Sequence, residues 1–214
     1  MTRVLQCVVG FAMPLLLVQE PIALGGAEAL VRAHVFATLP QMNPQAQFPL
    51  KDITPRGIWS ATHIQVFEVA DDVQEGYAYF IHDGVVYPGG FGLTSVAVAD
   101  LDRNSQAELY CAETWGSGIL RATVGAFVPT PGGLQAISSD HQFWWEHLLL
   151  DSEGDTCVAI YSGNLWNTAD SLHVSGGEII HGYKLGEIRL RASDSGPELD
   201  LRIQALPPVN SKTH

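Results

Sequence analysis

The sequence predicts an all-β fold of antiparallel strands, arranged as a β-sandwich or a partial β-propeller, with a candidate helix near the N-terminus. Three observations carry this. Short β-prone runs recur from Ile58 to Ile203, most of them bounded by Gly, Pro, Asn, Asp or Ser. Twenty-one glycines and twelve prolines, with only 16 % charged residues, suit many strands and tight turns. A hydrophobic fraction of 46 % is enough to fill a sizeable core, which excludes disorder.

The first thirty residues differ from the rest. Arg3 precedes the apolar run VLQCVVGFAMPLLLV, and Ala27-Glu28-Ala29 offers a small-x-small cleavage pattern. Residues 1–29 therefore read as a signal peptide, which implies a secreted or cell-surface protein. Gln6 and Pro14 interrupt the run, and it is too short and broken for a transmembrane span, so no membrane-spanning segment is expected in the mature chain. A second reading keeps an amphipathic helix from Ala27 to Phe36 as a cap on the core, in a protein that stays in the cytoplasm. Residues 30–57 read as a linker or N-terminal extension, with four prolines between positions 38 and 57. Residues 58–206 form the β domain, and 207–214 a tail.

Within that domain, strands are expected at 63–70, 77–81, 85–87, 94–99, 108–112, 121–128, 147–150, 157–161, 187–191 and 199–203. Asp83-Gly84 between two of these runs predicts a tight hairpin. The net charge of −12, with eleven Lys and Arg scattered along the chain, argues against nucleic acid and anionic membrane partners. Three cysteines make no disulfide framework, and Cys111 and Cys157 read best as buried free thiols.

The chemistry concentrates between two of the strands. After Val96–Ala99 come Asp100, Asp102, Asn104, Gln106 and Glu108, at positions 1, 3, 5, 7 and 9 of a loop. Four side chains and the Gln106 carbonyl can supply the oxygens that a hard cation such as Ca²⁺ requires. Nothing in the loop is soft, so zinc and copper are not favoured. Cys111 stands where an EF-hand has its position-12 acid, and the flanks are strands rather than helices.

This pattern resembles the D-x-D-x-D-G-x-x-D calcium loop of FG-GAP/VCBS-type repeats, which joins two strands of a propeller blade. The wider stretch, residues 53–125, is similar to bacterial proteins carrying a single VCBS-like segment. The resemblance implies a calcium loop in a β fold and carries no activity with it; the expectation is a Ca²⁺-binding structural or interaction module whose partner is an unidentified protein or carbohydrate ligand. Ser105 stands where the family prefers Gly, and Arg103 adds a positive charge beside the ion. A second copy follows 51 residues on: Asp151, Glu153 and Asp155, then Tyr161 and Trp166, answer Asp100, Asp102, Asn104, Tyr110 and Trp115. Ala159 replaces Glu108 there, so the second loop should bind weakly or not at all.

The alternative is a secreted hydrolase or carbohydrate-binding protein using the Trp144/Trp145 region with His141, Glu146 or His147. No zinc-like spacing, nucleophile elbow or phosphate loop accompanies these residues, so no catalytic set is assigned.

Overall fold

The computed structural model describes residues 20–38, 49–69, 77–115, 121–144, 147–163, 172–175 and 182–204. Among the described residues, two helices, α1 (Leu24–Thr38) and α2 (Arg56–Thr62), accompany fourteen strands. In chain order the strands are β1 (Leu50–Asp52), β2 (Gln65–Val69), β3 (Tyr77–His82), β4 (Val85–Phe91), β5 (Leu93–Ala99), β6 (Glu108–Trp115), β7 (Arg121–Thr130), β8 (Gly133–Ser138), β9 (Phe143–Trp144), β10 (His147–Ser152), β11 (Val158–Gly163), β12 (His173–Val174), β13 (Lys184–Ser193) and β14 (Gly196–Ile203).

Three sequential antiparallel meanders organise them. Sheet A runs β1-β2-β3-β4, sheet B β5-β6-β7-β8, and sheet C β10-β11-β13-β14. Two short strands extend sheet B: β12 pairs parallel with β5, and β9 pairs with β7. The sheets are open, with one apolar core shared by sheets A and B and another by sheets B and C.

Sheet B is buried on both faces, which explains its continuous apolar runs. Along β6, Leu109 and Cys111 join Val66, Ala78 and Phe80 of sheet A in one core. Tyr110 and Ala112 alternate to the other face and join Leu148, Leu150, Val158 and Ile160 of sheet C. Sheet A needs a cover for its other face, and α1 provides it. Ala27, Val31 and Val35, spaced by one helical turn, pack on Phe67, Tyr79 and Ile81. The outer side of β13 and β14 is instead charged, with Arg189 on Glu187 at 2.9 Å and Arg191 on Asp200 at 2.9 Å.

The residues read as a linker do more than connect. They hold the second half of α1 and all of β1, which pairs with β2. Residues 58–62, expected to begin the β pattern, belong to α2. Pro55 in the extended conformation opens this helix, and His63 closes it at φ 54°. Ile58 and Thr62, four apart, are its buried stripe. Seven residues are too few for a helical period to stand out against the β-rich run that follows. The hairpin at Asp83-Gly84 forms as expected, with φ of 50° and 74°, the positive pair that a two-residue turn of the primed type requires. Cys111 and Cys157 are buried free thiols.

Candidate metal centre

The β5–β6 connection starts at Ala99 paired with Glu108, and its residues fold around the two leading aspartates. Asp100 Oδ1 accepts the Asn104 amide at 3.0 Å, and Oδ2 accepts that of Ser105 at 2.9 Å. Asp102 Oδ1 also accepts the Asn104 amide, at 3.0 Å. Asn104 Oδ1 in turn accepts the Gln106 amide at 2.7 Å. Side chains one and three positions into the loop thus fold the backbone over themselves, the turn chemistry expected of Asp and Asn. Arg103 and Ser105 both adopt the left-handed conformation, at φ 60° and 69°. Glycine would suit position 105 better, because a side chain in this region costs roughly 1–2 kcal/mol.

Glu108, the first residue of β6, has no exposed surface. Its Oε2 accepts the Leu101 amide at 2.8 Å and the Tyr110 hydroxyl at 3.1 Å. Its Oε1 is buried and receives no hydrogen bond from an amide or hydroxyl. Carboxylate oxygens of Asp100, Asp102 and Glu108 all lie within 4.8 Å of one another. Burial, reinforced by the charge of Asp102, pushes the Glu108 carboxyl up to about 7, against the opposing pull of the Leu101 amide and the Tyr110 hydroxyl. Burial and the Glu108 charge hold the Tyr110 hydroxyl well above its ordinary range.

The donor set fits Ca²⁺. Calcium–oxygen distances of about 2.3–2.6 Å allow two oxygens on one ion to lie up to about 5 Å apart, and the carboxylate oxygens here lie within 4.8 Å of one another. Three of the expected ligands, Asp100, Asp102 and Glu108, converge. The Asn104 side chain lies in the same turn, but its oxygen takes the Gln106 amide and its nitrogen donates to Asp102 at 2.8 Å. Of Gln106, the backbone amide is what the loop visibly uses. In the sequence Tyr110 stands out only as a repeat marker. As a partner of Glu108 it could have been found from position, since residues two apart on a strand share a face.

The second acidic turn lies, like the first, between antiparallel strands, β10 and β11. Its register differs by one residue. Asp151 pairs with Ala159 inside the ladder, whereas Asp100 lies beyond the Ala99–Glu108 pair. The second connection is therefore shorter, and Asp151 accepts the Ser175 hydroxyl at 2.8 Å. Glu153 turns away toward Lys184, whose Nζ lies 2.9 Å from Oε1 and 3.0 Å from Oε2. Cys157 Sγ donates to Glu153 at 3.3 Å. Glu153, Cys157 and Glu187 gather around this ammonium, so the second turn carries its own covalently attached cation. The ammonium holds the Glu153 carboxyl below its ordinary range. Trp166 lies outside the described residues.

The Trp144 region is less organised. Trp144 is about half exposed, with the Arg121 guanidinium 4.8 Å from its ring centre. The His141 ring meets Phe143 edge-on at 4.6 Å, and His147 begins β10. Trp145 and Glu146 lie outside the described residues.

No family model, curated protein or solved structure matches this chain. Among the described residues no helix is long and apolar enough to cross a membrane.

Proposed function

We propose that this chain is a calcium-binding structural or interaction module, with Asp100, Asp102 and Glu108 as side-chain ligands in an FG-GAP/VCBS-like loop. The observation that carries the reading is Glu108 Oε1, a carboxylate oxygen that receives no hydrogen bond from an amide or hydroxyl, buried beside two further carboxylates. Leaving such a group unsatisfied costs about 1–3 kcal/mol, more if it is charged. A cation removes that cost and the mutual repulsion together. Asn104 Oδ1 and the Gln106 carbonyl are the further loop oxygens at ligand positions, and solvent would complete the shell.

Bound calcium would tie the end of β5 to the start of β6, because Asp100 and Asp102 lie in the connection and Glu108 in the strand. With Arg103 nearby and Ser105 in a conformation better suited to glycine, the affinity belongs in the weak range of about 10⁻⁴–10⁻³ M used by extracellular modules. That range suits a secreted or cell-surface location, and a protein or carbohydrate ligand as partner. The test is a calorimetric titration of chelator-treated protein. One Ca²⁺ per chain should bind, and Asp102→Asn should abolish binding. No heat of binding up to about 10 mM calcium, ten times the weak end of that range, would contradict the reading.

A further inference from the structure

Between sheets A and B lies a cavity of about 320 Å³, roofed by Pro88-Gly89-Gly90 of β4 and floored by Cys111 and Glu113 of β6. It uses the opposite face of β6 from Glu108 and Tyr110, so it is separate from the metal centre. Glycine builds it. A Cβ on Gly90 would occupy the place of the Glu113 carboxylate, and one on Gly125 would lie 3.4 Å from Cys111 Sγ. Glu113 accepts the Gly90 amide, and Cys111 Sγ lies 4.0 Å from its Oε1. Burial pushes the Glu113 carboxyl up, against the lowering effect of the Gly90 amide.

Among the described residues that line the space, none is basic. An ionised Glu113 therefore has no counter-charge among these lining residues, and the walls offered by Pro88 and Phe127 are apolar. The Phe127 ring is fixed by Phe80, at 4.3 Å between centres, and so forms a rigid wall. The volume sits at the small end of the range of about 300–1,000 Å³ for ligand sites. Ala136 and Ser138, exposed on the edge strand β8, form the mouth.

We propose that this cavity binds a small organic ammonium with an apolar body, Glu113 pairing with the charge while Phe127 and Pro88 hold the hydrocarbon. The acid selects the charge, and the glycines set the size limit.

The test uses benzylammonium and its neutral analogue benzyl alcohol, titrated into the full chain at neutral pH and followed by amide chemical shifts. Benzylammonium should saturate, with shifts confined to residues around Gly90, Cys111, Glu113 and Ala136. It should bind at least about tenfold more tightly than the alcohol, the value of one charge-assisted hydrogen bond. Glu113→Gln should remove that preference. Ala136→Leu, a change at an exposed position that plugs the mouth, should lose both ligands without unfolding the chain. Equal affinities for the two probes would overturn the proposal. So would unsaturable shifts spread over the acidic surface, or undiminished binding to Ala136→Leu.

Discussion

The Tyr110 hydroxyl donates to the Glu108 carboxylate at 3.1 Å, two residues back along the same strand, and both side chains are fully buried. The pair engages one oxygen of Glu108 with Tyr110 and Leu101 and leaves the other buried without a donor, in a carboxylate grouped with Asp100 and Asp102. In calcium-free protein the simplest way to tolerate this is to keep Glu108 protonated. That gives a pH signature. The folded carboxyl titrates at about 7, while the ordinary value is 4.5. Between those two pH values the folded chain holds more protons than the unfolded one, so stability falls as pH rises. The contribution is fully present below 4.5 and gone above about 7, and is worth about 3 kcal/mol. Urea unfolding in chelator at pH 5 and pH 8 should show this loss in wild type and a smaller one in Glu108→Gln. Equal pH dependence in the two proteins would contradict it.

Ser105 at φ 69° gives a prediction of opposite sign to most substitutions. Ser105→Gly should stabilise the loop by about 1 kcal/mol, because glycine adopts the left-handed region without a steric penalty. The gain should appear in chelator as well as in calcium, since the conformation precedes the ion. A destabilised Ser105→Gly protein would mean that the Ser105 side chain contributes something its hydrogen bonds do not reveal.

At the N-terminus, the Gln65 side chain clasps the backbone of Ile22. Its Oε1 accepts the Ile22 amide at 2.8 Å, and its Nε2 donates to the Ile22 carbonyl at 3.0 Å. Gln65 is buried, and Ala27, inside the small-x-small pattern, has no exposed surface. A chain beginning at Leu30 should therefore be less stable than one beginning at Glu20. The cost is about 2–4 kcal/mol, for an orphaned buried amide and lost apolar cover on sheet A. Comparing the two by chemical denaturation also separates the two N-terminal readings, because a signal peptide is dispensable and a cap is not. Equal stabilities would favour the signal.

The second turn should be indifferent to calcium. Lys184 is partly exposed and its pairing with Glu153 is a surface bridge, so Lys184→Met should cost less than about 1 kcal/mol. Asp155, exposed, should tolerate alanine within about 0.5 kcal/mol. Neither change should alter the response of the melting temperature to calcium.

Much of this was legible in the residues. Every expected strand forms, and Asp83-Gly84 announces its hairpin because only a few residue pairs accept two positive φ values. Asp100, Asp102 and Glu108 could be placed together from their odd-numbered positions in the loop. What escaped depends on tertiary context. The alternation along β6 is invisible in the residue types because both faces meet other sheets, so apolar residues occupy nearly every position. The one-residue difference between the two turns leaves no trace in their matching spacing, yet it moves Asp151 into the ladder. The Ile22–Gln65 clasp joins residues 43 apart through backbone groups that every sequence possesses.

The most direct measurement is thermal melting of wild type and Asp102→Asn, each in chelator and in calcium at a hundredfold excess over the dissociation constant. Calcium should stabilise the wild type by about 2.7 kcal/mol. At that excess it should raise the melting temperature by several degrees, at about 2–4 °C per kcal/mol for a chain of this size. Asp102→Asn should not respond. A wild-type melting temperature that is the same in chelator and in calcium at tens of millimolar would mean that Asp100, Asp102 and Glu108 form an acidic turn and not a calcium site.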